Sequence, residues 1–165
     1  MTARIPTLAW VVVIIVILDQ VTKAMVHASL SLYETATVIP GLVDLVHVRN
    51  EGVAFGLLNN FNIPYKAVLT TALAGLALGV IGYYFSTQLQ PHEKLARYGL
   101  ASIAGGAVGN LIDRVRQGYV LDFVDVYWGD WHFWAFNVAD SAITIGAILV
   151  FADLLLVKRH VPDTV

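Results

Sequence analysis

LAWVVVIIVILDQVTK, running from Leu8 to Lys23, decides how the rest of the chain is read. Leu8 to Leu18 is apolar without a break, and Asp19 and Lys23 then follow one helical turn apart. A run of this kind, extended to Val26, matches the ~20 residues that a helix needs to cross a bilayer. A cleaved leader is the competing reading, with Arg4 ahead of the run and Val26-His27-Ala28 as a faint cleavage site. Two charges at the end of the apolar run argue against it.

The rest of the chain agrees with a membrane reading. It has 165 residues, 58% hydrophobic and 13% charged, against about 25% charged in an average soluble domain. Further apolar stretches at Ala67–Phe85, Leu95–Val115 and Phe136–Val157 make four spans in one membrane domain over residues 1–165, with both termini on one side. Basic residues barely orient it: Arg4, Lys94, Arg97, Lys158 and Arg159 lie on the terminal side, and Arg49, Lys66, Arg114 and Arg116 on the other. A net charge of −2 gives no reason to expect nucleic acid. The absence of cysteine excludes disulfides, zinc–thiolate sites and a thiol nucleophile.

Two stretches fall outside the spans. Residues 27–66 hold strand-like pieces at Thr37–Ile39 and Val43–Val48, which predict a small sheet on the membrane surface. Residues 116–135 hold Tyr127, Trp128, Trp131 and Trp134. These residue types favour the membrane–water interface, which predicts an interfacial loop or short helix.

Ionisable groups inside spans are costly and mark candidate sites. Asp19 and Lys23 are placed to pair with each other. Asn110 and Asp113 lie three apart in the third span, and Asn137 and Asp140 repeat that spacing at the start of the fourth. Asp122 stands among apolar neighbours, with Asp125 three residues on. Gly105, Gly106 and Gly109 predict close helix packing just before Asn110. Asn-x-x-Asp pairs also serve as hydrogen-bond glue between helices, but an aspartate adds a charging cost that an amide does not. Two carboxylates in one apolar site share a proton, so that one acts as base on a water while the other acts as acid. On spacing alone, Asp113 and Asp140 are equal candidates. A magnesium site of Asp113, Asp122, Asp125 and Asp140, serving phospholipid head-group transfer, stays open. So does a proton-coupled transporter using Asp19, Asp113 and Asp140. Neither His-Glu-x-x-His nor Gly-x-Ser-x-Gly occurs.

Taken together, five segments resemble the boxes of the lipoprotein signal peptidases (signal peptidase II). They are Asp19-Gln20-Val21-Thr22-Lys23, Arg49–Gly56 (RNEGVAFG), Gly105–Arg114 (GGAVGNLIDR), Val120-Leu121-Asp122-Phe123 and Phe136–Ile143 (FNVADSAI). Any one box is weak; five in order across residues 8–157 are specific. One departure is Trp134, where many members carry a proline.

The resemblance implies an α-helical integral membrane protein with four transmembrane helices, a periplasmic β-cradle and a periplasmic interfacial helix. It implies an aspartyl endopeptidase that cuts before a diacylglyceryl-modified cysteine of prolipoproteins. Asp122 and Asp140 become the catalytic pair. Asp19, Lys23, Asn50, Asn110, Asp113, Arg114 and Asn137 become residues that orient the pair or bind substrate. Gly52, Ala54 and Phe55 would contact the peptide, and Ala139 would be small so that substrate comes close. No metal or other cofactor is implied. The partners are lipidated prolipoproteins and membrane lipid, the working unit a monomer, and the location the bacterial inner membrane with cytoplasmic termini and a site near the periplasmic face.

Overall fold

The computed structural model describes residues 5–52 and 65–156. Its elements in chain order are α1 (Ile5–Ser29), β1 (Thr35–Ile39), β2 (Val43–Asn50), α2 (Lys66–Thr87), α3 (Lys94–Gln117), β3 (Val120–Trp128), β4 (Trp131–His132) and α4 (Val138–Leu156). Each expected span coincides with a helix to within a few residues at either end. Val157 and the basic residues beyond it lie outside the described residues, as does Arg4. Among the described residues, three helices are long and apolar enough to cross a membrane: Thr7–Ser29, Lys66–Thr87 and Val138–Leu156.

The burial pattern reverses that of a water-soluble domain. Trp10, Ile14 and Met25 of α1, Leu76 and Val80 of α2, and Ile148 and Phe151 of α4 are exposed. Asp19, Lys23, Asn110, Asp113 and Asn137 are buried. Apolar side chains outside and polar groups inside are what lipid requires of a helix bundle.

α3 is the helix around which the others pack, and its small residues let them approach. On one side an added Cβ on Gly106 would overlap the carbonyl oxygen of Ala139 in α4, and one on Gly99 would stand 2.6 Å from the carbonyl of Gly146. On the other side a Cβ on Gly105 would meet Ile15 of α1 at 3.0 Å, and one on Gly109 would lie 2.5 Å from the Asp19 carboxylate. Two helices therefore seat on one glycine-bearing helix. α3 ends at Gly118, whose φ of 82° closes the helix while its N–H bonds the Arg114 carbonyl.

The four strands form an antiparallel sheet in the order β1–β2–β3–β4. Val26 at the end of α1 packs with Leu121 and Phe123 of β3, which fastens the sheet to the bundle. The β2–β3 register sets Val48 opposite Asp122 and Asn50 opposite Val120, with an irregularity between Leu45 and Val48. After β4 the chain folds back beside β3: Phe136 accepts from the N–H of Val124 at 2.8 Å and donates to the Val124 carbonyl at 3.0 Å. That contact delivers the chain to the start of α4 next to Asp122.

One expectation is corrected here. Residues 116–135 were predicted to carry an interfacial loop or short helix; after the end of α3 this stretch instead forms β3 and β4. The sheet predicted within residues 27–66 accordingly takes half of its strands from this later segment. The aromatic content indicated an interface but not a backbone conformation. Val120, Val124 and Val126 are β-branched and find the free edge of β2, which favours a strand.

The glycine contacts predict a specific sensitivity. Gly106→Ala should lower the melting temperature in detergent, consistent with an overpacking cost of about 1–3 kcal/mol. Gly79→Ala in α2, where a Cβ meets nothing within 4 Å, should leave melting unchanged or raise it. Equal melting of the two variants would count against the packing argument.

Candidate active site

Four elements bring polar side chains to one end of the bundle. α1 supplies Asp19, Gln20 and Lys23; α3 supplies Asn110, Asp113 and Arg114; β3 supplies Asp122; and the start of α4 supplies Asn137 and Asp140. Asn50, the last residue of β2, joins them.

Lys23 lies at the centre. Its ammonium is 2.8 Å from Asp19 Oδ2, 2.8 Å from Asp113 Oδ2 and 3.0 Å from Asn110 Oδ1. Three donors meet three acceptors, so the buried charge is fully satisfied. The other Asp19 oxygen accepts the backbone N–H of Ala139 at 3.0 Å, in the first turn of α4, where a negative charge is favoured. Asp113 also accepts from Gln20 Nε2 at 2.9 Å and from the N–H of Leu121 at 3.3 Å. The last bond fixes the residue next to Asp122.

Asn137 and Asp140 cap α4 reciprocally. Asn137 Oδ1 accepts the Asp140 N–H at 3.0 Å, and Asp140 Oδ2 accepts the Asn137 N–H at 3.2 Å. With its oxygen committed, the Asn137 amide nitrogen points to Asp122 Oδ1 at 2.7 Å. Asn110 works the same way: its oxygen faces Lys23 and its nitrogen donates to Asp140 Oδ1 at 2.8 Å. Asn50 Nδ2 donates to Asp122 Oδ2 at 3.0 Å. Each aspartate thus has both oxygens held by N–H donors.

A cavity of about 890 Å³ opens on this end of the bundle. Asp122, Asp140, Asn50, Asn110 and Arg114 line it, and its walls continue between α2 and α4 as Leu73, Ala77, Ile81, Ile143 and Ile145. Asp122 is outside the helices and nearly enclosed. Burial pushes its carboxyl up to about 7; the charge of Asp140 adds to this, and the amides of Asn50 and Asn137 and the charge of Lys23 oppose it. A carboxyl near neutrality beside a second carboxyl can hold one proton between the two and exchange it with a bound molecule.

The candidate residues divide by access. Asp122, Asp140, Asn50, Asn110 and Arg114 face the cavity. Asp19, Lys23, Asp113, Asn137 and Ala139 are buried and outside its lining. Asp113, weighed against Asp140 as a catalytic acid on spacing, is engaged by Lys23, Gln20 and Leu121. Ala139 was expected to leave room for substrate, but it is 0% exposed and the room is taken by α3, whose Gly106 and Gly109 press against it. Gly52 has both backbone groups engaged, its N–H with Asn50 Oδ1 at 2.9 Å and its carbonyl with Arg114 at 3.0 Å. Ala54 and Phe55 lie outside the described residues. Among the described residues no three His, Asp or Glu side chains converge as a metal ion would need.

Sequence reasoning gave three residues no role. Gln20, which stands in the first box, bridges Asp113 and Asp19. Thr70 is the one α2 residue recorded as buried, and it lines the cavity. Asp153, 5% exposed near the far end of α4, accepts the N–H of Leu95 at 3.1 Å and so caps α3. An acid inside an apolar run marked it, but no spacing named its partner.

The family model described as signal peptidase (SPase) II matches residues 11–156. A lipoprotein signal peptidase of Geobacter metallireducens is 44% identical over 144 residues, which cover 87% of each chain. That of Desulforapulum autotrophicum is 43% identical over 162 residues, covering 98% of each. A bacterial membrane enzyme solved by the in meso method at 2.3 Å superposes with a TM-score of 0.81 at 32% identity, covering 93% of this chain and 90% of that one. A second, at 1.9 Å, gives 0.83 at 30% identity, covering 95% and 97%.

The raised Asp122 carboxyl predicts a pH-dependent stability. The folded protein keeps this proton to about pH 7, whereas an unfolded carboxyl releases it near ~4. Raising pH between those values therefore costs native stability. Wild type should melt lower in detergent at pH 7.5 than at pH 5, and Asp122→Asn should lose most of that difference. An undiminished pH dependence in the variant would refute the assignment.

Proposed function

The chain belongs to the signal peptidase II family, the membrane proteases that remove the signal peptides of prolipoproteins, and from that premise we propose that Asp122 and Asp140 are its catalytic pair. The observation that carries this reading is that both carboxylates face one cavity and are held by one buried residue, Asn137, whose side-chain nitrogen donates to Asp122 and whose backbone N–H donates to Asp140. Asp140 takes a proton from the attacking water. Asp122 delivers its proton toward the scissile carbonyl and, after collapse of the tetrahedral intermediate, a proton passes to the leaving amine. Arg114 lines the cavity and holds the Gly52 carbonyl, steadying the turn after β2.

The substrate is a prolipoprotein whose cysteine already carries diacylglycerol, and cleavage falls just before that cysteine. The apolar walls between α2 and α4 support this, because they offer the lipid and the signal helix a path that stays within the bilayer. Anchoring in the membrane brings the scissile bond to the depth of the pair, so much of the orientation comes without further binding.

α3 is the fourth transmembrane helix. It carries charges at both ends, but Tyr98 to Ile112 has none, and 24 residues reach ~36 Å. Its neighbours shield it from lipid. The protein sits in the bacterial inner membrane with both termini cytoplasmic and the sheet on the periplasmic side. Positive charge supports this orientation: Arg114, counted on the sheet side in the sequence, faces the cavity, and Lys66 pairs with Glu51 at 3.2 Å.

Asp122→Asn and Asp140→Asn should each abolish cleavage of a diacylglyceryl-modified prolipoprotein peptide while keeping a cooperative melt. Full activity in either variant would remove that residue from the mechanism. A chelator should leave the wild-type rate unchanged; a rate restored only by added divalent cation would favour a metal-assisted reaction.

A further inference from the structure

Lys23 is a buried charge that the proposed chemistry does not touch. It is 4% exposed and does not line the cavity, so a bound substrate does not meet it. It nevertheless constrains the groups that do meet substrate. A lysine ammonium only donates, and it faces Asn110 Oδ1 at 3.0 Å. The Asn110 amide is thereby oriented: its oxygen must face Lys23 and its nitrogen must face Asp140. Asn110 Oδ1 also accepts from Asn137 Nδ2 at 3.3 Å, which ties the second amide to the first. Reversing Asn110 would set its N–H groups against the ammonium and its oxygen against a carboxylate.

We propose that Lys23 is a positioning residue of the protease, which acts through Asn110 and Asn137 to hold both carboxyls in place and supplies the nearby positive charge they share. This rests on Asp122 and Asp140 being the catalytic pair. The groups facing Lys23 are Asp19 on its own helix, and Asp113 and Asn110 on α3. Asp122 on β3 and Asp140 on α4 stand behind the two asparagines, and Arg114 lies on the cavity side. Asp19 and Asp113 together bring more negative charge than Lys23 balances. Removal of the ammonium would therefore leave the pair in a more negative surrounding, which favours protonated carboxyls.

The test is the pH dependence of kcat and KM on a diacylglyceryl-modified prolipoprotein peptide in detergent, for wild type, Lys23→Met, Lys23→Arg and Asp122→Asn. Lys23→Met should lower kcat by about a hundredfold, as a displaced reacting group does, with KM within twofold of wild type. Its alkaline limb should move to higher pH by about half to one unit, as loss of a nearby opposite charge requires. Lys23→Arg keeps the charge, so its limb should stay at the wild-type position. A raised KM with kcat and profile unchanged would mean that Lys23 binds substrate, and a lower kcat with an unmoved limb would mean that it is scaffolding only. Either result overturns the inference. If Lys23→Met does not accumulate, Asn110→Ser cuts the link to Asp140 and leaves both Lys23 ion pairs in place. It should lower kcat, and a wild-type kcat overturns the inference. An active Asp122→Asn would instead overturn the catalytic pair itself, so the two failures are distinguishable.

Discussion

The Lys23 ammonium, enclosed between Asp19 and Asp113, sets conditions that much of the bundle then meets. An unpaired charge inside a membrane protein is costly, and even a paired one needs its remaining hydrogen bonds filled. Lys23 has three acceptors for three donors, on two helices. Asp19 in turn reaches the first turn of α4, so one carboxylate contacts α1, α3 and α4. Those contacts exist only if the helix backbones come close. Gly106 and Gly109 allow this, since a side chain at either position would occupy the space that Ala139 and Asp19 hold. The glycines and the ion pairs are therefore linked, since a side chain at Gly109 would displace the Asp19 carboxylate that pairs with Lys23.

Around this core the polar groups form two layers. The enclosed layer of Asp19, Lys23, Asp113 and Asn137, with half-buried Gln20 against it, is tied together by hydrogen bonds and fixes geometry. The open layer of Asn50, Asn110, Arg114, Asp122 and Asp140 faces the cavity. Among the described residues Arg114 Nε is buried with no hydrogen-bond partner, and a polar atom left in that state next to reacting groups is costly enough to be notable. The cavity pairs this polar end with long apolar walls. A substrate anchored in lipid needs such a surface, because its hydrophobic part stays in the bilayer while one peptide bond reaches the polar end.

Much of the site was legible as residue types. In so apolar a chain Asp19, Asp113 and Asp140 were conspicuous, although Asp153 was passed over, and Asn-x-x-Asp at the start of α4 is also the spacing of a reciprocal helix cap, which the structure contains. The ranking of those acids was not legible. Asp113 and Asp140 share a local pattern and differ only in what lies opposite: a lysine from α1 in one case, a cavity in the other. Residues 116–135 illustrate the same limit. Their tryptophans indicated an interface, but the strand exists because β2 has an edge to pair with.

The amino-acid sequence by itself determined the solvent of this protein, the places where helices run and the few acids worth attention. Hydropathy and helical spacing are local properties, read within one or two turns. Tertiary structure alone decided which acids face the cavity and which are sealed. The deciding contacts join residues far apart, such as Asn50 to Asp122 across 72 positions and Asp19 to Ala139 across 120. The access of a carboxylate, and with it its proton affinity, depends on what is packed against it, and no spacing within one segment encodes that neighbour.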